Sequence, residues 1–169
     1  MSEISKVMVG PFEGGVLVKV TGRGTMEFCS QLFDYLIARI EKNKSENIYF
    51  ELSETNYLDS SFIGVIVSIE KKLQKESRGS IVILNPTEKV KEILSMMGLS
   101  EILPMKENAK IKNIELSEEI EKKLEKDYND IKLLLESHQN LMEINPENKK
   151  RFGLVEEMLK QELERNKNE

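Results

Sequence analysis

The 169-residue chain is 39% hydrophobic, and its 30 acidic and 25 basic side chains give a net charge of −5. This composition is sufficient to bury a core and argues against full-length disorder. A single Cys and a single His exclude an internal disulfide and Cys-rich or His-pair metal sites, so we expect a protein of the reducing cytoplasm that holds neither a metal nor another cofactor.

The chain is predicted to open with an antiparallel hairpin. Two short runs rich in β-branched residues, 7–9 and 15–20, flank a turn-forming cluster at residues 10–14. Apolar residues then recur at the spacing of an amphipathic helix that runs to about Lys42. These residues are Phe28, Leu32, Phe33, Leu36, Ile37 and Ile40.

A buried strand, a loop and a second helix are predicted next. Residues 48–52 form a compact apolar run, and residues 53–57 are polar and read as a loop. The second helix is expected from about residue 60 to residue 74. Ile63 and Val67 should face inward, and the lysines near its end suit the negative end of the helix dipole.

The next segment predicts a further strand and a third helix. Residues 80–84 are a second apolar run, Asn85-Pro86 precedes a helix that ends near Met97, and Gly98 is suited to stop that helix. Residues 102–103 are predicted as a last short strand. Strands and helices that alternate after a hairpin predict an α/β fold with a mixed sheet of four to five strands covered by helices.

Charge divides the chain into two predicted units. Residues 116–169 carry 14 acidic and 10 basic side chains, a net charge of −4, which leaves −1 for residues 1–115. We therefore expect a folded domain over residues 1–115 and a charged helical extension over residues 116–169.

Two helices are predicted in the extension. Ser117 with the following acids reads as a helix start, and Pro146 restarts a second helix. Apolar side chains form one stripe on each helix, so a helical hairpin is expected, and His138 is predicted to be solvated or part of the seam. The stripes comprise Ile120, Leu124, Tyr128, Ile131, Leu135, His138 and Met142, then Phe152, Val155, Leu159 and Leu163.

The junction before the second helix carries the main functional signal. Asp59-Ser60-Ser61 stands where the first turn of a helix offers unpaired N–H groups and a partial positive charge. One interpretation is a simple N-cap, which is the commonest use of Asp and Ser there. The other is a phosphorylation switch, because a phosphoserine at this position would change a partner surface more than the fold.

Residues 6–106 resemble the STAS domain of bacterial anti-sigma factor antagonists. The resemblance lies in the strand, loop and Leu58-Asp59-Ser60-Ser61 stretch, in Asn85-Pro86 and in Met97-Gly98-Leu99. It implies that Ser60 is the phosphoacceptor, with Ser61 as the alternative. It also implies a partner surface at residues 59–62, an anti-sigma factor serine kinase that adds the phosphate and a serine phosphatase that removes it.

Phe62 departs from the family pattern. The family usually has Asp-Ser-Ser-Gly-Leu-Gly, whereas this chain has Phe62-Ile63-Gly64 after the serines. A large aromatic side chain there either restricts access of the kinase or contacts a different partner. Asp59, Ser60, Ser61 and Phe62 are thus the candidate partner-binding residues.

Other candidate sites have ordinary interpretations. Gly22-Arg23-Gly24 lacks the further glycine of a dinucleotide site, and no Gly-Lys-Ser/Thr occurs. Cys29 has no base beside it and is expected to be a small buried apolar residue. A pairing of Asp59 with Glu51 or Glu54 for acid/base chemistry implies no substrate pocket. We therefore expect no enzyme.

Two functions follow from the sequence. The first is an anti-sigma factor antagonist-like regulator, a binding switch controlled by phosphorylation of Ser60. The alternative is a STAS scaffold that self-associates or binds a helical partner through residues 116–169. Neither nucleic acid nor a membrane is expected as a partner, because the chain is acidic and has no apolar run of roughly 18 residues.

Overall fold

The computed structural model describes residues 4–42, 47–76, 79–111, 114, 116 and 118–167. The predicted hairpin is present: strand β1 (Lys6–Phe12) pairs antiparallel with β2 (Gly15–Gly24). Glu13 and Gly14 join them with φ angles of 45° and 75°. Two successive left-handed residues match the right-handed twist of the flanking strands, which explains the tight turn.

The remaining elements follow in alternation along the chain. They are α1 (Cys29–Lys42), β3 (Ile48–Leu58), α2 (Ser60–Glu76), β4 (Ile81–Leu84), α3 (Glu88–Met96), β5 (Met105–Lys106), β6 (Glu118–Ile120), α4 (Tyr128–Met142) and α5 (Pro146–Lys167). A 3₁₀ turn precedes α1.

The strands form one mixed sheet in the order β5-β4-β3-β2-β1-β6. Strands β2, β3, β4 and β5 run parallel to one another, whereas β1 is antiparallel to both β2 and β6. The predicted α/β class is confirmed. The sheet has six strands in the described part of the chain, rather than four or five, because β6 comes from the region predicted to be helical.

Strand β3 is longer than predicted, so the expected loop at residues 53–57 is wrong. The polar residues continue the ladder beside β2, with register shifts between Lys19 and Thr21 and between Gly22 and Arg23. Thr55 is buried and its hydroxyl donates to the Val20 carbonyl at 2.8 Å. An alternating polar pattern on a partly solvated strand resembles a loop in sequence.

The last strand of the first unit is also displaced. No strand forms at residues 102–103, where the chain turns and Leu103 is fully buried. Met105 and Lys106 pair with β4 instead. Burial of Leu103 in a turn gave the same apolar signal that a strand would give.

The main core lies between the sheet and the helices. Alternate residues of β2 (Val16, Val18 and Val20) and of β3 (Ile48, Phe50 and Leu52) share this core with α1, α2 and α3. Helix α2 is buried at every residue from 61 to 67, more than an amphipathic helix requires. The reason is that α4 packs on it as well.

The extension begins with a strand, so a helix starting at Ser117 is wrong for the residues that follow; Ser117 itself lies outside the described residues. Ile120 and Glu118 pair with Val7 and Val9, which fills a free edge of the sheet. Leu124, placed in the predicted seam, is 76% exposed. Helix α4 begins only after Asp127, whose carboxylate accepts from the Asp130 backbone in a capping box.

Helices α4 and α5 form the predicted hairpin, with Pro146 as the first residue of α5. Ile131, Leu134, Leu135 and Leu159 make a second apolar cluster between them. Phe152 and Leu141 belong to the main core. The hairpin therefore has a small core of its own and is also attached to the domain.

Asn148 makes that attachment specific. Its side-chain amide is fully buried and donates to the carbonyl oxygens of Met97 at 3.0 Å and Leu141 at 2.8 Å. This joins α5 to the ends of α3 and α4.

Replacing Asn148 by Ala should lower the free energy of unfolding by about 3 kcal/mol, because the carbonyl oxygens of Met97 and Leu141 each lose a donor inside the protein. The exposed neighbour gives a matched control, and Lys149→Ala should stay within about 0.5 kcal/mol of the parent. Urea denaturation measures both. Equal stability of the two variants would contradict the structural role of this amide.

Candidate functional site

Asp59 is the N-cap of α2. Its Oδ1 accepts from the Phe62 backbone N–H at 2.8 Å, and its Oδ2 accepts from the Met26 N–H at 2.9 Å. Its own N–H donates to the Gly24 carbonyl at 2.9 Å. One carboxylate thus caps the helix and ties it to the connection between β2 and α1.

Ser60 is the first residue of α2 and is half-buried. Its Oγ lies 3.0 Å from Nε2 of His138, on α4. The other ring nitrogen, Nδ1, lies 2.8 Å from the Leu134 carbonyl oxygen. A carbonyl oxygen only accepts, so Nδ1 carries the proton of the neutral ring, and Nε2 accepts from the Ser60 hydroxyl.

His138 is the residue that sequence reasoning missed. It is 3% exposed and packs edge-to-face against Phe152, with ring centroids 5.6 Å apart. The solvated alternative is therefore wrong, and the seam alternative is correct in that the side chain is buried. Nothing in the sequence connects it with Ser60, 78 residues earlier.

The electrostatics follow from burial. Burial raises the pKa of Asp59, although the Phe62 and Met26 N–H bonds and the nearby His138 act against the rise. Burial lowers the pKa of His138, against the opposing effects of the Leu134 carbonyl and Asp59. Burial, and then the Asp59 charge, raise the pKa of the Cys29 thiol well above its usual value. His138 is thus neutral at pH 7 and Cys29 is a protonated, unreactive thiol.

The four residues predicted to bind a partner have different environments. Asp59 and Ser60 are half-buried, whereas Ser61 is 8% exposed and Phe62 is 0% exposed. The Phe62 ring packs edge-to-face on Phe50 at 6.5 Å. Phe62 therefore fills the core in this structure, and it neither screens the Ser60 hydroxyl nor presents an apolar contact at the surface.

Helix α4 approaches α2 closely at Gly64. A Cβ placed on Gly64 would lie 2.9 Å from Cβ of Ser137, so a larger residue would separate the helices. Beyond this point the contact is polar. Asn140 donates to Ser68 Oγ at 2.9 Å, and Lys71 pairs with Glu143 at 2.9 Å.

The other candidates from the sequence do not gather at this site. The Arg23 guanidinium stacks 4.4 Å from the centre of the Tyr57 ring, and Cys29 is buried as predicted. Glu51 accepts from Asn85 at 2.8 Å and Glu54 pairs with Lys19 at 2.9 Å, so each is engaged by a partner other than Asp59. Within the described residues no group of three or more potential metal ligands occurs.

Comparison with known proteins agrees with this fold. The sequence profile of the STAS domain family matches residues 13–112, more than half of the chain. The chain belongs to the STAS domain family. No curated protein sequence matches it. Among the described helices, none combines the length and the apolar character needed to cross a membrane.

Solved structures similar to this chain include anti-sigma factor antagonists. The antagonist SpoIIAA in its unphosphorylated form is 16% identical, with a TM-score of 0.55 over 61% of this chain and 88% of that one. A putative anti-sigma factor antagonist from Thermotoga maritima is 23% identical, with a TM-score of 0.54 over 61% and 86%. The Bacillus cell fate determinant SpoIIAA in the phosphorylated form is 15% identical, with a TM-score of 0.52 over 61% and 91%. These likenesses establish the fold.

Burial of neutral His138 predicts a pH dependence of stability. The pKa of His138 is below 6.5 in the folded chain, so the unfolded chain binds more protons below pH 6.5 and the free energy of unfolding should fall as the pH drops from 6.5 toward the lowered pKa. Asp59 acts in the opposite direction, since its raised pKa favours the folded state on acidification. The buried Cys29 thiol stays protonated and contributes nothing in this range.

The difference between the parent and His138→Ala reports the histidine together with its effect on Asp59, because Asp59 itself is present in both. Urea denaturation at a series of pH values should give a fall below pH 6.5 that is smaller in His138→Ala. Parallel profiles for the two proteins would contradict a buried neutral histidine.

Proposed function

We propose that this protein is an anti-sigma factor antagonist-like regulator whose binding to a partner is controlled by phosphorylation of Ser60. An anti-sigma factor serine kinase adds the phosphate and a serine phosphatase removes it. The protein acts in the cytoplasm and does no catalysis of its own. Asp59 and Ser60 form the surface that the partner meets.

The observation that carries this proposal is the position of Ser60. It is the first residue of a helix in a STAS domain, follows the capping Asp59, and is only half-buried. Ser61, one residue further on, is 8% exposed, which favours Ser60 as the acceptor. One of the similar solved structures is described as phosphorylated SpoIIAA, in agreement with a family in which such a form exists.

Charge provides the switching mechanism. A phosphoserine carries about −1.5 to −2 charges at neutral pH. At Ser60 this charge would lie next to the Asp59 carboxylate, which already uses the Phe62 N–H of the first turn. Because the helix dipole offsets only part of this charge, the phosphorylated surface becomes strongly negative. An acidic partner surface would then be repelled. An apolar partner surface would have to remove water from the phosphate, which is unfavourable.

The hydrogen bond between Ser60 and His138 has the form of a nucleophile and a base, yet its surroundings support a non-enzymatic role. A catalytic pair needs space for a substrate beside the hydroxyl. The cavity of about 10 Å³ that Met26, Cys29 and Leu134 line includes neither Ser60 nor His138 in its lining, so it offers no substrate space at the hydroxyl.

Phosphopeptide mapping tests the proposal. The protein is incubated with ATP and the host's anti-sigma factor serine kinases, and the modified residue is identified by mass spectrometry. We expect one phosphate on Ser60, which Ser60→Ala removes and Ser61→Ala retains. Ser53→Ala, at an exposed serine of β3, is the matched control. Absence of label at Ser60 with every kinase, or label at Ser61, would overturn the assignment.

The scaffold alternative has less support. The stripes expected to mediate self-association pack against each other and against the STAS domain of the same chain. Leu154 and Met158, one turn apart on α5, are exposed and offer a small apolar contact. Light scattering distinguishes the two functions, because a monomer would exclude self-association through residues 116–169.

A further inference from the structure

We propose that α4 is an inhibitory segment, which holds Ser60 in a protected state and must leave α2 before a kinase can use the hydroxyl. This inference rests on the proposed function, since it concerns regulation of the same serine. It assigns a role to the helical extension and to His138, which the family match over residues 13–112 does not include.

The first argument is the use of the hydroxyl. Phosphorylation breaks the bond between the γ-phosphorus of ATP and its bridging oxygen, forms a bond from phosphorus to Ser60 Oγ, releases ADP and passes the hydroxyl proton to the base of the kinase. In this structure that proton is donated to Nε2 of His138, only 3.0 Å from Oγ. The imidazole therefore occupies the position from which the kinase base would take this proton.

The second argument is that α4 itself covers the start of α2. A Cβ placed on Gly64 would lie 2.9 Å from Cβ of Ser137. The two helix backbones are therefore nearly in contact one turn beyond Ser60. A kinase active site must surround the serine to align the reacting groups. It cannot do so on the side of α2 that α4 occupies.

The third argument is that the contact is suited to release. The side chains that meet across α2 and α4 include Ser60 with His138 and Ser68 with Ser137 and Asn140. When α4 leaves α2, these neutral polar groups form hydrogen bonds with water in place of those with each other, and the net cost of this exchange is small. The Lys71–Glu143 pair is more than half exposed and is worth little.

The fourth argument is that the hairpin keeps a core when it leaves. Ile131, Leu134, Leu135 and Leu159 pack between α4 and α5, separate from the main core. Release of α4 from α2 leaves this cluster intact, and its main cost is the exposure of Leu141, which belongs to the main core. By linkage, docking of α4 and phosphorylation of Ser60 oppose each other equally, so a phosphate on Ser60 favours the released hairpin.

Thiol labelling of a Ser60→Cys variant tests the protection without any kinase. The full-length chain reacts with a bulky maleimide under reducing conditions, and the parent, whose Cys29 is buried, gives the background. Ser137→Arg is added to force α4 from Gly64. Glu136→Arg is the matched control, because it places the same side chain one residue away on the exposed face of α4.

We expect labelling of the thiol introduced at position 60 to be about tenfold faster with Ser137→Arg than with Glu136→Arg, as for a site that opens only with local release. His138→Ala removes the hydrogen bond and the ring contact with Phe152 but places no side chain between the helices, so it should give a smaller acceleration. It serves if circular dichroism shows that Ser137→Arg does not fold. Equal labelling rates in all these backgrounds would overturn the inference.

The two proposals fail separately. Fast labelling in the Glu136→Arg background would show that position 60 is already accessible and would overturn the inhibitory role, even if a kinase phosphorylates Ser60. Slow labelling that Ser137→Arg accelerates supports the inhibitory contact, even if no kinase modifies Ser60.

Discussion

The close packing of α4 on α2 at Gly64 is the constraint on which the site depends. Because Gly64 has no side chain, Ser137 approaches the α2 backbone, and this brings His138 within hydrogen-bond distance of Ser60. The same contact explains why α2 is buried over residues 61–67. A domain that would otherwise present its second helix to solvent instead places that helix between the sheet and a helix of its own extension.

Asp59 and His138 are two titratable groups whose burial shifts their pKa values in opposite directions. Burial disfavours the charged form of each group, whereas the charge of each group stabilises the charge of the other. Asp59 keeps its carboxylate position because two backbone N–H groups, from Phe62 and Met26, are directed at it. His138 remains neutral because burial disfavours its charged form, and its single ring N–H, at Nδ1, donates to the Leu134 carbonyl. The result is a local hydrogen-bond network that orders the start of α2.

The spacing of apolar residues predicted the helices and strands that bury one face against the core. It was wrong where a segment pairs with or packs on an element that its own sequence does not indicate. The hairpin at Glu13-Gly14 and the restart at Pro146 follow local rules of turn and cap chemistry, so sequence alone is sufficient for them. Residues 118–120 became a strand because the edge of β1 was free, which is a property of the assembled sheet. Thr55 lies in a strand for a similar reason. Strand β3 continues to pair with β2 at this point, and the Thr55 hydroxyl donates to the Val20 carbonyl.

The sequence indicated only the part of the candidate site that lies at the start of α2. Asp59 and Ser60 could be assigned from the helix start and from resemblance to STAS domains. His138 could not, because no periodicity relates a residue of the extension to one in α2. The interpretation of Phe62 also depended on three-dimensional context, since its ring, two residues after the half-buried Ser60, is part of the core.

Strand β6 limits what can compete with α4. It fixes the chain to the sheet at Ile120, and only residues 121–127 separate it from α4. A helix held by so short a tether stays near its site at an effective concentration in the millimolar range. A separate protein that replaces α4 must therefore bind α2 much more tightly than α4 does, or must first capture the hairpin itself. In either case the length of this tether sets how tightly a competitor must bind before it displaces α4.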